Sequence, residues 1–311
     1  MKEEATAKIP VTVVMRSYND ADLLCRTLRA LDEQEGVAIT LLVFESASTD
    51  ASKKIFEAHG YDWIKHLEPG SYRSSKVLNE GVERAETELV AFVNSDAIMI
   101  GRDVLRRMAE ALLADDRRAG AFARQIVRPE ANAMTRVDYH VAFDNRSQLG
   151  ERAAAWMSLV CSMVRKTAVA EVAFDAELTF AEDAVWSQAI IDRGWRTVYV
   201  PEAIVEHSHD YNWEQRYRRT FGDSAALARL AESEPARGLV AGFLLPYAKR
   251  CVRDVLRLRE IGKLHHFWRV PIYRWPLMRA TWKGSVAGWD YFHGRSSESS
   301  GERLQPVIAR K

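Results

Sequence analysis

Only three cysteines occur in 311 residues, and Cys25, Cys161 and Cys251 stand far apart, in odd number and without CxxC spacing. That pattern excludes a disulfide framework, and the three are expected as free, buried thiols in a reducing compartment. Long apolar runs are missing too. No stretch approaches the length of a membrane span, and the N-terminal MKEEATAK is charged where a secretory signal would be apolar. A cytoplasmic chain without signal or spanning helix is expected. Nor does either charge dominate: the net charge is +1, with 47% hydrophobic and 28% charged residues. Such composition excludes a disordered or fibrous chain and leaves room for one large core or two modest ones. The balance hides an asymmetry. Between Pro246 and Lys283, ten Lys and Arg stand against Asp254 and Glu260, a local +8 that leaves −7 for the remainder.

What is present is alternation. Short apolar runs at 11–16 and 39–44 alternate with helical segments at 21–33 and from about Ala51, followed by a weaker strand at 61–66 and an apolar helical face of Leu78, Val82 and Ala85. Runs at 90–93, 120–127 and 157–164 continue the pattern, with a helix over 103–114 between them. All-apolar strands separated by helices predict an α/β fold with a mostly parallel sheet covered on both faces. Residues 128–152 read as a long irregular segment, of the kind that serves as a lid or binding loop. TVYV and AIVEH are two strands split by Pro201, and a charged helix begins at Trp213. The alternation stops near Pro235 to Gly238, so the expected organisation is a polar tail over 1–8, a catalytic domain over 9–235, a basic Trp-rich helical extension over 236–295 and a flexible tail over 296–311.

In open α/β sheets the ligand crevice lies at the carboxyl ends of the strands. Asp96, where the VAFV run leaves the sheet, is the first candidate metal ligand, although a turn or helix cap accounts for it as well. Arg16, Ser17, Tyr18 and Asn19 follow the first strand, and Glu45 to Asp50 the second; Ser48 and Thr49 suit the cap of the next helix. Arg73 and Lys76 are candidate phosphate-binding cations or solvated surface charges. Glu182 and Asp183 open a helix, where acids also oppose the helix dipole. His207 and His209, two apart at a strand end, are a candidate metal pair.

The order of these segments resembles family 2 glycosyltransferases with the nucleotide-sugar-binding GT-A fold, from about Val11 to Asp223. The residues that carry it are RSYN, ESASTD where the family usually has DDGSTD or DSGSTD, KVLNEG, NSD in place of DxD, AEDAVW and YVPEAIVEHSH. ARQIV and HSHDY are similar to the GRQ and HSH-Y patterns of the rhamnosyltransferase branch. Asn94 and Glu45 depart from the family's acids. The resemblance implies inverting transfer of a sugar from a dTDP-, UDP- or GDP-sugar to a saccharide or lipid-linked acceptor. It implies Mg²⁺ or Mn²⁺ on Asp96 with His207 or His209, Asp183 as general base and Glu182 beside it to orient it or meet the acceptor. Ser17, Tyr18, Asn19, Glu45, Arg73, Lys76, Asn94 and Ser95 would line the donor site, and the 128–155 segment with Trp156 the acceptor side. A homologue that only binds, or a nucleic-acid-binding protein using its basic tail, are the rival readings; no nucleic-acid partner is expected, because the second leaves Asp96, Asp183 and the histidines without roles.

The tail follows other rules. Trp268, Trp275, Trp282 and Trp289 recur every seven residues, a single stripe on a continuous helix that Pro271 and Pro276 are expected to interrupt. Aromatics interleaved with Arg suit peripheral contact with an anionic membrane on the cytoplasmic side, and packing onto the catalytic domain accounts for them equally.

Overall fold

A strand that is apolar at every position needs cover on both faces, and the core is divided accordingly. The structure, a computed structural model, describes residues 7–144, 156–178, 180–209 and 211–295. In β1 (Ile9–Ser17), Val11, Val13 and Met15 enter one apolar cluster with Leu24, Leu28 and Leu31 of α1 (Ala21–Asp32), while Val14 enters a second cluster with Leu78 and Val82 of α3 (Ser74–Arg84). β4 (Leu89–Asn94) divides the same way, Ala91 and Val93 against Val90 and Phe92. Alternate side chains thus fill both sides of one sheet.

With β2 (Val37–Glu45), β3 (Ile64–His66), β5 (Ile98–Ile100), β6 (Arg118–Ile126), β7 (Cys161–Arg165) and β8 (Arg196–Glu206), the eight strands lie in the order β3-β2-β1-β4-β7-β6-β8-β5. β7 runs antiparallel to β4 and β6, and β5 antiparallel to β8; the other neighbouring pairs are parallel. The carboxyl ends of β1, β2, β4, β6 and β8 therefore open on one edge. The helices α2 (Ser52–His59), α4 (Val104–Leu113), α6 (Lys166–Glu171), α7 (Glu182–Ile191) and α8 (Trp213–Leu227) complete the domain.

Several expectations change. The stretch read as irregular contains a helix, α5 (Ala133–Ala142), whose Asn132 side chain accepts from the backbone of Met134 and Thr135; 145–152 lies outside the described residues, as do 1–6 and 296–311. Pro201 does not split β8: the strand passes it through an irregularity in its pairing with β6, which spares the proline a ladder hydrogen bond. Ser48 and Thr49 do not cap α2, since Asp50 takes the Ser52 N–H instead and Ser48 accepts from the Asn19 N–H. α3 begins at Ser74, with Arg73 at its N-cap. Of the cysteines only Cys161 is buried; Cys251 is half-buried and Cys25, on the outer face of α1, is exposed.

The basic extension folds as α9 (Leu245–Glu260) and α10 (Arg269–Phe292). α10 runs unbroken through Pro276, and Pro271 sits in its first turn, where the missing N–H costs little. Both helices pack on the body. Met134 and Val137 of α5 share a cluster with Leu258, Val270 and Tyr273, and α10 lies against α8 with Gly284 and Gly288 at the crossing. A Cβ at Gly288 would stand 2.1 Å from the Ala225 carbonyl oxygen, and one at Gly284 2.4 Å from that of Phe221. Gly288→Ala is accordingly expected to destabilise the chain by about 2–4 kcal/mol in urea unfolding, as overpacking against backbone does. Were the contact loose, alanine's helix propensity would instead stabilise by up to about 1 kcal/mol.

Candidate active site

Asp96 leaves β4 into a buried turn, with Ser95 beneath it donating to Asp20. Its Oδ2 lies 3.6 Å from His207 Nε2 and 3.5 Å from His209 Nε2, and the two imidazole nitrogens are 3.0 Å apart. Among the described residues these three side chains form a group able to hold a metal ion. Ligands about 2.1 Å from a divalent cation lie about 3.0–3.4 Å from one another at octahedral to tetrahedral angles, so the spacing fits such an ion.

The surroundings prepare the triad. His207 is buried at the end of β8, and its Nδ1 is 2.9 Å from Gln125 Oε1, while Gln125 Nε2 donates to Ser158 Oγ at 2.6 Å. An amide oxygen can only accept, so Nδ1 carries the proton and the Nε2 lone pair is left to face Asp96, the arrangement by which outer groups orient metal-binding histidines. Burial pushes His207 down to about 3, which keeps it neutral at physiological pH. Burial works against ionised Asp96, yet the charges around it hold its pKa below the ordinary value. With His207 neutral, the permanent cation among them is Arg128, which donates to the Asp96 backbone oxygen at 2.7 Å and to Oδ2 at 3.1 Å. Tyr211 stacks on His209, and Arg219 lies over Tyr211.

Asn94, in place of the first acid, accepts from Arg16 Nη2 at 2.7 Å. Arg16 also donates to Ser74 Oγ at 3.0 Å, and Ser74 donates to Glu182, so one arginine ties the end of β4 to the start of α7. Asp183 follows, reached through Ala181 in the left-handed region at φ 52°. Asn19 and Ala47 are the other non-glycine residues of positive φ among those described, and all three stand where chain leaves a strand or enters a helix at this edge. Asp183 is pushed up to about 7 by desolvation and by the neighbouring charge of Glu182; Asp223 of α8 is pushed up to about 6, chiefly by burial. The negative charge of Glu182 raises both neighbouring carboxyls, Asp183 and Asp223, and so favours their neutral forms. The Trp156 indole donates to Asp183.

The residues expected to contact a donor divide by exposure. Tyr18 is exposed. Asn19 bridges to the second strand's loop, its Oδ1 accepting from the Thr49 N–H at 2.8 Å. Glu45, buried, accepts from the Ser48 N–H at 2.6 Å and meets His66 Nδ1 at 3.1 Å; burial opposes its charge, but these bonds hold its pKa below the ordinary value. Ser17 and Ser95 are buried, so neither side chain is open to a ligand from solvent. Arg73 donates to the Tyr72 carbonyl at 2.8 Å, and Lys76 lines a surface cavity with Lys65, Asn79 and Glu80 on the outer side of α3. Sequence reasoning passed over Gln125, Arg128, Arg219 and Asp223. The ARQIV run carried the first as a family pattern; the others have no local signal.

The family model "Glycosyltransferase like family 2" matches residues 9–224. The O-antigen chain rhamnosyltransferase RfbN of Salmonella typhimurium is 22% identical over 221 residues, 68% of this chain and 70% of that one. WbaN of Salmonella anatum, another O-antigen chain rhamnosyltransferase, is 24% identical over the same coverage. Among solved structures, the mannosyltransferase PcManGT from Pyrobaculum calidifontis, in complex with GDP-Man and Mn²⁺, superposes with a TM-score of 0.54 at 18% identity over 96% of this chain and 79% of that one.

Proposed function

The chain belongs to glycosyltransferase family 2, and from that premise we propose how this site carries out the transfer. It is an inverting glycosyltransferase of GT-A fold, moving a sugar from a nucleoside-diphosphate donor to an acceptor hydroxyl in polysaccharide or glycolipid synthesis. The convergence of Asp96, His207 and His209 is the observation that carries the site assignment.

Asp96, His207 and His209 would hold a divalent cation, which when bound would supply positive charge for the leaving diphosphate. Arg128 keeps Asp96 ionised, and Gln125 keeps the His207 lone pair turned toward the site. Asp183 accepts the proton of the acceptor hydroxyl, and Glu182, held by Ser74, fixes its position. Tyr18 and the loop from Glu45 to Thr49 receive the nucleotide, with Asn94 orienting Arg16 beneath the sugar. Two imidazoles against one carboxylate suit Mn²⁺ better than Mg²⁺, which prefers oxygen ligands. The O-antigen chain rhamnosyltransferase relatives favour a rhamnose-type sugar, carried on dTDP, UDP or GDP, and a saccharide or lipid-linked acceptor.

Thermal unfolding with a panel of dTDP-, UDP- and GDP-sugars tests this. One donor class should raise Tm only when a divalent cation is present, with Mn²⁺ effective at lower concentration than Mg²⁺ and EDTA reversing the shift. A donor that binds equally in EDTA would remove the metal from the donor site.

A further inference from the structure

α9 is inside out. Asp254 is buried and paired with buried Arg274, which also reaches Asp138, while Val252 and Ile272 are each 63% exposed. The outward stripe of α9 carries Leu245, Lys249, Val252, Arg253, Leu256 and Arg259; that of α10 carries Trp268, Ile272, Trp275 and Arg279. Tyr247 Oη donates to the Pro271 carbonyl at 3.1 Å and Phe243 packs edge-on against Trp275 at 4.7 Å, so the stripes adjoin. Ten of the seventeen large apolar side chains exposed among the described residues fall between Leu239 and Trp275, a concentration that scattered surface residues do not produce.

The sevenfold tryptophan repeat divides here. Trp268 and Trp275 point outward, whereas Trp282 donates to the Ala236 carbonyl at 2.9 Å and Trp289 stacks on His293. Exposed charge on the two helices is almost wholly positive; Glu260, the one exposed acid on the α9 to Arg279 stretch, is engaged by Arg257 and His140.

We propose that this outward face of α9 and the first half of α10 docks in the plane of an anionic lipid bilayer. Apolar side chains that alternate with Lys and Arg along α9 and are followed by Arg279 on α10 suit a headgroup layer, where the rings and aliphatic tips enter and the cations meet lipid phosphates. No helix among the described residues is long and apolar enough to cross a membrane, so attachment is in the plane of the surface. The docked orientation has a consequence that rests on the transferase reading, although docking itself does not. A cavity of about 330 Å³ lies between Met134, Tyr211, Trp213, Arg216, Trp268 and Ile272. Its outer wall belongs to the docking face, and Tyr211 at its inner end stacks on His209, so an acceptor held in the bilayer would enter beside the metal triad.

Co-sedimentation of the full chain with vesicles of phosphatidylcholine alone, or mixed with phosphatidylglycerol, tests the proposal. Binding should require the anionic lipid and weaken with salt. Val252→Glu/Ile272→Glu and Lys249→Glu/Arg253→Glu should each bind about tenfold or more weakly, with unchanged thermal melts and unchanged metal-dependent donor binding, as expected for exposed positions. Trp fluorescence should shift to the blue on anionic vesicles through Trp268 and Trp275. Parent protein that ignores both vesicle types at low salt would overturn the proposal and turn the face toward a protein partner, and so would variants that sediment like the parent. Loss of donor binding in the parent would instead count against the transferase site alone.

Discussion

Asp96→Asn is expected to lower sugar transfer by about 10³-fold in saturating donor while the chain stays folded, since a metal's stabilisation of a leaving diphosphate is worth several kcal/mol. Asparagine is the informative replacement. Its Oδ1 still accepts from Arg128, whose other bonds run to the Asp96 and Ser208 backbone oxygens and survive. Alanine would leave part of a largely buried guanidinium without its counter-charge and confuse loss of metal with loss of stability. The neutral amide is a poor ligand for a divalent cation, and the two imidazoles alone bind it more weakly. Donor affinity should therefore become indifferent to Mn²⁺, measured by calorimetric titration of donor with and without the ion. A variant with parental donor affinity in Mn²⁺ and parental turnover would show that the three side chains converge for structural reasons only.

Asp183→Asn should leave donor binding intact and reduce transfer by about 10² to 10⁴, the contribution of a positioned general base. The same residue predicts a pH profile. Burial and Glu182 raise its pKa from 3.8 to about 7, so parental turnover should climb with pH through about 7 and level off above it. It also predicts a stability cost of opposite sense. A carboxyl whose folded pKa is raised favours the native state in its neutral form, a contribution present below 3.8 and lost as pH rises through about 7. Asparagine removes that loss, so the variant should be more stable than the parent at pH 8 by roughly 1–3 kcal/mol, with the difference closing toward pH 4. Urea unfolding at the two pH values reads it directly. Near-parental turnover, or a variant no more stable at pH 8, would take Asp183 out of the role, and Asp223, pushed up to about 6 in the same carboxylate group, would be the next residue to test.

How much of this could be read before any coordinates depended on whether the signal was local. The VAFV run ending at Asp96, the AED opening of α7 and the His207–His209 pair announce themselves, because an apolar run marks burial and the polar residue that ends it marks the sheet's edge. The fold class followed from the same alternation. α5 escaped notice because its apolar residues meet α9 and α10, more than a hundred residues away, and their pattern is read only against that partner. Pro201 misled because a proline that breaks an ideal strand can be absorbed by a bulge, which depends on β6 alongside.

By itself the sequence determined the alternating α/β architecture and the polar residue types gathered at the carboxyl edge of its sheet. The tertiary structure decided that Asp96, His207 and His209 meet around one point, that Gln125 sets the histidine's tautomer and Arg128 the aspartate's charge, and that Asp183 shares its surroundings with Asp223. It decided also which tryptophans face outward. The reason is common to all of these: periodicity along a chain reports whether a residue is buried, whereas charge state, tautomer and ligand geometry depend on which distant strand or helix supplies the neighbour.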